Sequence, residues 1–270
     1  MQQFQQLLKS VLTMSNQTSQ NFLGAGWVPA LIEKSPPRYR ESLALRVLSL
    51  SPHYFFDSKI RFWMPAPVIR REARRNSSSR SQLVDEIIRP YISPADTVVD
   101  YGCGAGYMAF HMARFARRVI GCDISDGALA CARVLNGAQN IEYLNPRQLA
   151  EQQPTADLVY SIAMAQHMMD SALSEILRFI RRLLRPRGTL LMHVVVNGQG
   201  WRSESESVND KSLRGRLRLK CGLNCFSRSP DQVLGLARDA GFSGCRLMPM
   251  AQITQVDDDV ARQHLLLCHT

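Results

Sequence analysis

Residues 98–106 read Val98-Val99-Asp100-Tyr101-Gly102-Cys103-Gly104-Ala105-Gly106, and no other stretch constrains the fold as strongly. An apolar run leads into three glycines at every second position, and a helical pattern follows. Glycine is needed where the backbone turns tightly or lets a ligand come close, and a helix start exposes amide donors. The stretch therefore predicts a strand, a ligand-binding turn and a helix. The alternative is a tight turn that holds no ligand.

The glycine spacing differs from that of a dinucleotide-binding turn, which reads Gly-x-Gly-x-x-Gly. Counted from Gly102, the third glycine of that pattern would fall on Tyr107, whose ring is too bulky for the close helix–strand packing that the pattern serves. Asp123 lies 21 residues beyond Gly102, at the end of the next predicted strand, where a carboxylate can accept hydrogen bonds from both ribose hydroxyls. Dinucleotide-binding folds use the same position, and Asp123 could also cap the next helix.

Strand-like and helical patterns alternate from about residue 82 onward. Apolar runs predict seven strands, at 97–102, 119–123, 141–144, 157–163, 189–196, 243–250 and 261–269. The sequence Ser229-Pro230-Asp231-Gln232 has the form of a helix start, with Ser at the N-cap and Gln at the third helical position. This alternation predicts an α/β fold with a seven-stranded, mostly parallel sheet and helices on both faces. A ligand should bind at the carboxyl ends of the strands.

Residues 1–80 are less regular, and we assign them to a helical leader that acts as a lid or a substrate-side extension, with the ligand-binding domain at 81–270. Prolines interrupt short helical patterns there, and the serine-rich run 76–81 predicts a polar hinge. Residues 1–95 hold 13 Lys and Arg against 6 Asp and Glu, in a chain of net charge +10. This excess forms either a solvated basic surface or a site for an acidic substrate, nucleic acid or anionic membrane.

The composition is that of a cytoplasmic globular protein. Hydrophobic residues make up 45% of the chain, which is too many for a disordered one, and no apolar run is long enough to span a membrane. The first twenty residues do not have the basic start and apolar core of a secretory signal. The seven cysteines are scattered, which predicts reduced thiols and no metal site. The oligomeric state is left open.

Two further stretches extend the pattern. Residues 156–168 (ADLVYSIAMAQHM) cover the fourth strand and end near a histidine, and residues 183–191 (LLRPRGTLL) form the turn before the fifth strand. Together with the glycine stretch and Asp123, they resemble class I S-adenosylmethionine-dependent methyltransferases of the small-molecule, ubiquinone-biosynthesis-type branch. The resemblance covers about residues 82–250. It implies a Rossmann-like fold, enzymatic methyl transfer and S-adenosyl-L-methionine as the cofactor.

The resemblance also implies a set of cofactor-binding residues, which are Asp100, Gly102, Gly104, Gly106, Asp123, Ile124, Ser161 and Ile162. The first four would hold the methionine part, the next two would contact ribose and adenine, and the last two would line the methionine side. Ser161 could instead be a strand end satisfied by backbone. Many relatives have an Asp after the third strand that meets the adenine amino group. Here Asn145 or Gln148 would have to serve through a side-chain amide.

A general base is needed only for some acceptors. Methyl transfer from a sulfonium is an in-line displacement, and the protein chiefly aligns the reacting groups. A hydroxyl acceptor benefits from a base, whereas an amine needs only to be neutral. His167 follows the fourth strand, on the side where substrate should approach, and is our candidate for the catalytic base. A structural role as a helix cap is the alternative.

Segments outside the regular core are candidates for binding the acceptor. They carry aromatic and polar side chains, which are Tyr54, Phe55, Phe56, Arg61 and Trp63 in the leader, and Asn197, Gln199, Trp201 and Arg202 after the fifth strand. Aromatic and Arg side chains suit a planar or anionic acceptor. The alternative for the leader cluster is hydrophobic anchoring onto the sheet.

We expect a methyltransferase that acts by O- or N-methylation on a small molecule, such as a secondary metabolite, a sugar or a quinone-like compound. An RNA or protein methyltransferase is the alternative, because the basic runs 69–75 and 214–220 could track phosphates. Neither run has enough interleaved aromatic residues for a base-stacking surface. A third possibility is a cofactor-binding regulatory protein without turnover, which the intact glycine motif disfavours.

Overall fold

The computed structural model describes residues 27–49, 61, 63–198, 200–220, 224–256 and 263–270. Three helices precede the sheet, namely α1 (Trp27–Lys34), α2 (Pro37–Leu48) and α3 (Ala66–Leu83). The elements that follow are β1 (Thr97–Tyr101), α4 (Tyr107–Met112), β2 (Arg118–Cys122), α5 (Asp126–Leu135), β3 (Ile141–Leu144), α6 (Pro146–Gln152), β4 (Ala156–Ser161), α7 (Asp170–Leu183), β5 (Leu184–Val194), α8 (Glu204–Asn209), α9 (Leu213–Lys220), α10 (Pro230–Asp239), β6 (Ser243–Pro249) and β7 (His264–His269).

The predicted seven-stranded, mostly parallel sheet is confirmed. The strand order is β3-β2-β1-β4-β5-β7-β6. Strands β1 to β5 pair in parallel, and β7 runs antiparallel to both of its neighbours, β5 and β6. The order reverses between β1 and β4. The carboxyl ends of these two strands therefore flank the crevice in which sheets of this kind bind ligands.

Helices cover both faces of the sheet, and consecutive strand residues alternate between the two faces. Val98 packs in the layer that contains Leu83, Met108 and Leu129. Its neighbour Val99 packs in the opposite layer, formed mainly by α7 and α10. Because both faces are buried, the central strands are apolar without interruption, as is usual for parallel sheets.

The leader packs against the domain within the described residues. Val28 and Ile32 of α1 join Leu48 of α2 in one buried cluster with Ala130 and Cys131 of α5. The glycine turn contributes Ala105 to the same cluster. The leader therefore lies against the first helix after β2 and reaches the turn that follows β1.

One local prediction needs correction. The serine-rich run 76–81 is not a hinge, because α3 continues through it to Leu83 and then through a π-helical turn (Val84–Ile88). These serines, most of them half-buried, are tolerated in the helix because the flanking turns pack at Ile69 and Leu83.

The predicted helix start at Ser229 is confirmed. The Ser229 hydroxyl accepts a hydrogen bond from the Gln232 N–H, and the Gln232 side chain accepts one from the Ser229 N–H. The leader residues Tyr54, Phe55 and Phe56 lie outside the described residues. Among the described residues, none of the helices is both long enough and apolar enough to cross a membrane.

Substitution in α1 tests whether the leader folds with the domain. We expect Ile32→Ala to lower the free energy of unfolding by about 2–5 kcal/mol, because its side chain is 1% exposed in the shared cluster. Leu31→Ala is the matched control, since Leu31 is exposed on the same helix and should change stability by about 0.5 kcal/mol or less. Urea unfolding should show one transition. A separate leader transition, or equal effects of the two variants, would contradict the shared cluster.

Candidate functional site

A glycine turn connects β1 to α4. Gly102, Gly104 and Gly106 have φ angles of +87°, +53° and +76°, all in the left-handed region that side chains with a Cβ disfavour. The N–H groups of Gly102 and Cys103 donate to the Cys122 carbonyl, at 2.7 and 3.0 Å. The turn is therefore held across the end of β2, and the predicted need for glycine is explained by backbone conformation.

The surroundings of the three glycines differ. A Cβ on Gly106 would collide with the ring of Tyr143, and one on Gly102 would lie 2.8 Å from Cγ of Met164. A Cβ on Gly104 would have no other atom within 4 Å among the described residues. Gly106 and Gly102 are thus required by packing within the protein. Gly104 faces open space, on the side from which a ligand can approach.

The Asp123 carboxylate organises the turn from the end of β2. One oxygen, Oδ2, accepts a hydrogen bond from the Gly104 N–H at 2.8 Å, and the other, Oδ1, accepts from the Ser125 N–H at 2.9 Å. The helix cap that was considered for Asp123 belongs to Ser125, whose hydroxyl accepts from the Ala128 N–H. These two hydrogen bonds tie the turn after β1 to the start of α5.

Two buried polar groups lie at the ends of the central strands. Asp100 and Ser161 are 3% and 0% exposed. Oδ2 of Asp100 and Oγ of Ser161 have no hydrogen-bond partner among the described residues. A buried polar atom without a partner costs about 1–3 kcal/mol, so these two atoms mark a place where a polar ligand would be stabilised. The alternative for Ser161, a side chain satisfied by backbone, does not agree with its environment.

Burial raises the pKa of Asp100 to about 7, and repulsion by the nearby Asp123 carboxylate acts in the same direction. The Tyr160 hydroxyl on the neighbouring strand opposes the rise without cancelling it. Near neutral pH the Asp100 carboxyl is therefore divided between its acid and ionised forms. A cation placed beside it would favour the ionised form.

The remaining predicted cofactor contacts lie at the same edge with different surroundings. Ile124 is half-buried directly after Asp123, and Ile162 is buried in the α3–α4 core layer. Asn145 and Gln148 form a capping box at the start of α6, in which each side chain accepts a hydrogen bond from the other residue's N–H. Asn145 also donates to Asp126. Both amides therefore have a structural role that the sequence comparison did not anticipate.

His167 lies in a short 3-10 turn after β4. Its Nδ1 is 2.9 Å from the Asn224 carbonyl oxygen and 3.7 Å from the Cys225 sulfur. A carbonyl oxygen only accepts hydrogen bonds, so Nδ1 carries the proton and Nε2 carries the lone pair of the neutral ring. This tautomer suits a base that acts through Nε2. The same contact also serves the structural alternative, because it ties the turn to the segment that contains Asn224.

Arg228 is a residue that sequence reasoning missed. Its guanidinium is buried and donates to the carbonyl oxygens of Ala165 and Met168 and to the Asp170 carboxylate. The ion pair with Asp170 has a distance of 2.7 Å. Arg228 therefore fixes the His167 turn against the segment 224–228. No local sequence pattern predicts these contacts, because the partners of Arg228 are 58 to 63 residues away in sequence.

Fold and turn together define the class of domain. The sheet carries the Asp100–Gly106 turn at the end of β1, beside the reversal of strand order, and Asp123 at the end of β2. This is the arrangement that the sequence resemblance implies. Residues 98–188 therefore have the arrangement expected of a class I S-adenosylmethionine-dependent methyltransferase domain.

Comparison with known proteins agrees with this class. Residues 98–188 match the family of methyltransferase domains. The ubiquinone biosynthesis O-methyltransferase of Pseudomonas paraeruginosa is 32% identical over 104 residues, which are 37% of this chain and 44% of that protein. The enzyme of the same name from Acinetobacter baumannii is 30% identical over 104 residues, 36% of this chain and 43% of that protein. The chain thus spans less than half the length of the curated relatives it matches.

Solved structures share the fold. Human N-acetylserotonin methyltransferase, in complex with S-adenosylmethionine, has a TM-score of 0.50 at 16% identity and covers 86% of this chain and 57% of its own. A chain from the complex of the Haloferax volcanii Trm112 methyltransferase activator with a methyltransferase has a TM-score of 0.52 at 18% identity, covering 74% of this chain and 93% of its own. At these identities the likeness concerns the fold alone.

The contrast between Gly104 and Gly106 gives a test of which side of the turn faces a ligand. We expect Gly106→Ala to lower the free energy of unfolding by about 2 kcal/mol or more, because Tyr143 must move and a left-handed residue with a Cβ is strained. Gly104→Ala should cost only about 1–2 kcal/mol. Its methyl group, however, enters the open space and should weaken binding of S-adenosylhomocysteine by about tenfold or more, a loss of about 1.4 kcal/mol.

Urea unfolding and calorimetric titration measure the two effects separately. Unchanged affinity in Gly104→Ala would mean that the ligand does not approach the turn at this residue. A Gly106→Ala variant as stable as the wild type would mean that Tyr143 does not constrain the turn.

Proposed function

We propose that this protein is an S-adenosylmethionine-dependent methyltransferase that methylates an oxygen or nitrogen atom of a small-molecule acceptor in the cytoplasm. The observation that carries the proposal is the glycine turn at the strand-order reversal, held by Asp123 with Gly104 facing open space. The ubiquinone biosynthesis O-methyltransferases that match part of the chain by sequence support the small-molecule acceptor. Because these matches cover only 36–37% of this chain, the activity and the acceptor of the whole protein are proposals.

The residues at the strand ends fit the proposed cofactor. Its methionine part carries an ammonium group, which matches the buried Asp100 carboxyl with its unpartnered Oδ2. The Ser161 hydroxyl, at the end of the adjacent strand, can donate to the cofactor carboxylate. In this proposal the Asp123 carboxylate, at the end of β2, accepts hydrogen bonds from the ribose hydroxyls. When bound, the cofactor supplies an activated methyl group on a sulfonium.

Held by these residues, the cofactor would supply the methyl group to an acceptor atom and would depart as a neutral thioether. A hydroxyl acceptor must also lose its proton. In this proposal Asp100, Ser161 and Asp123 bind and orient the donor, and His167 takes the acceptor proton at Nε2. The Asn224 carbonyl, bonded to Nδ1, holds the ring in the required tautomer.

Proton release on binding tests the role of Asp100. Its pKa is raised to about 7 in the protein without a cation beside it. The ammonium group of S-adenosylhomocysteine should lower this pKa, so binding at pH 6 should release protons and affinity should rise from pH 6 to pH 8. At pH 8 Asp100 is already ionised, and release should be small.

Calorimetry in two buffers of different ionisation enthalpy measures the released protons. The isosteric variant Asp100→Asn should bind more weakly and without this release. Asp239→Asn changes an exposed carboxylate on α10, and as the control it should behave like the wild type. Equal proton release in Asp100→Asn would exclude the proposed contact. Absence of binding by the wild type, under conditions where it is folded, would refute the proposed function as a whole.

A pair of variants separates the catalytic role of His167 from a structural one. His167→Asn keeps a donor near the Asn224 carbonyl but cannot accept a proton, whereas His167→Ala loses both functions. If His167 is the base for a hydroxyl acceptor, both variants should lower kcat by about 10²-fold or more and leave the KM for S-adenosylmethionine nearly unchanged. The assay is transfer of labelled methyl to a metabolite extract, followed across pH. Recovery of activity in His167→Asn would assign the residue a structural role.

The alternative of an RNA or protein methyltransferase would use the basic leader. Arg70, Arg71, Arg74 and Arg75 are exposed on α3. Arg70 pairs with Glu41, and Arg71 lies 3.8 Å from Glu72. The surface is therefore more balanced than the sequence count suggests, which favours the small-molecule acceptor. RNA binding with a steep dependence on salt would support the alternative instead.

A further inference from the structure

A cavity of about 470 Å³ lies between α9 and the segments 200–202 and 224–225. This volume is within the range of small-molecule sites. Arg202, Arg214 and Arg218 line it together with Trp201, and the carboxylate in its lining is that of Asp210. The cavity therefore combines an aromatic wall with an excess of positive charge.

The single carboxylate does not neutralise the three arginines. Oδ2 of Asp210 is 2.7 Å from Nη1 of Arg202, and Oδ1 accepts a hydrogen bond from the Ser212 N–H at 2.9 Å. Asp210 is thus paired with Arg202, and its one negative charge leaves an excess of positive charge in the lining. Across the part of the chain that the structure describes, no carboxylate lies within 4 Å of the Arg214 or Arg218 guanidinium. These two cations face the cavity without an acidic partner.

Helical spacing directs the two arginines to the same place. Arg214 and Arg218 are four residues apart on α9, a spacing that brings side chains together on one face. Like charges in this arrangement are destabilising by a few tenths of a kcal/mol, and a bound anion would remove the repulsion. Arg216 lies between them in sequence and does not line the cavity.

The cavity adjoins the proposed base. Asn224 and Cys225 are part of its lining, and both contact Nδ1 of His167, at 2.9 Å for the Asn224 carbonyl oxygen and 3.7 Å for the Cys225 sulfur. One wall is therefore shared between the arginine cavity and the residue proposed to deprotonate the acceptor. The segment 224–225 thus lies between the cavity and the Nδ1 side of the His167 ring, which is not itself part of the cavity lining.

We propose that this cavity binds the anionic group of the methyl acceptor, a carboxylate or a phosphate on a small molecule, through Arg214 and Arg218, with Trp201 packing against its body. Guanidinium groups recognise both anions by paired hydrogen bonds. The identification of the ligand as the acceptor rests on the proposed methyltransferase function. The anion site itself does not, because it follows from the cavity and its charges.

The test uses the full chain, with inorganic phosphate and benzoate as probes in separate calorimetric titrations. The double variant Arg214→Gln/Arg218→Gln should lose about tenfold or more in affinity for the preferred probe. Arg216→Gln removes one charge from the same helix and should stay within about twofold of the wild type. Titration with S-adenosylhomocysteine reports whether each variant is folded and whether the donor site is intact. Stronger binding of phosphate or of benzoate identifies the anion.

The outcomes separate this inference from the proposed function. Anion binding that depends on Arg214 and Arg218, together with normal binding of S-adenosylhomocysteine, would support both. Binding of S-adenosylhomocysteine without binding of either anion would overturn the anion site and leave the methyltransferase intact. Binding of an anion without binding of S-adenosylhomocysteine would support the anion site and refute the proposed methyltransferase function. An equal loss in Arg216→Gln, or tighter binding of single-stranded RNA that all three arginines support, would indicate a diffuse basic surface and also overturn the proposal.

Discussion

The two hydrogen bonds of the Asp123 carboxylate connect the parts from which the donor site is built. One bond holds the glycine turn after β1 through the Gly104 N–H, and the other holds the start of α5 through the Ser125 N–H. The turn has three residues in the left-handed region and few side chains to fix it. A carboxylate that accepts from both sides therefore supplies the order that glycines alone do not. Its position at the end of β2 follows from the parallel pairing of β1 and β2.

The Asp123 carboxylate also raises the pKa of the nearby Asp100 carboxyl, because the two negative charges repel each other. Asp100 is buried near Asp123, and desolvation and repulsion together raise its pKa to about 7. Burial raises the pKa of the neighbouring Cys103 thiol as well, and the two carboxylates add to the effect, so that thiol stays protonated. A site with two close carboxylates and an unpartnered Ser161 hydroxyl favours a ligand that brings a cation and an acceptor group. The charge pattern of the turn thus agrees with an amino-acid moiety better than with a pyrophosphate.

Periodic features of the chain could be predicted from sequence, and contacts between distant segments could not. The positions of β1 and β3 and the capping box at Ser229 agree with their patterns because hydrophobic period and cap chemistry are local. The hinge predicted at residues 76–81 was wrong because packing of the flanking turns overrides the low helix propensity of serine. The contact between His167 and Asn224 joins residues 57 positions apart. Nothing in either local sequence indicates it.

The segment 224–228 contacts both the proposed base, His167, and the arginine cavity proposed to bind the acceptor. At one end Asn224 and Cys225 line the arginine cavity and contact His167. At the other end Arg228 is bonded to the turn that carries His167. A displacement of this segment would therefore move the base and the cavity wall together rather than apart. Since in-line transfer depends on keeping acceptor, base and methyl group aligned, a segment that contacts both the proposed base and the cavity couples the positions of the two.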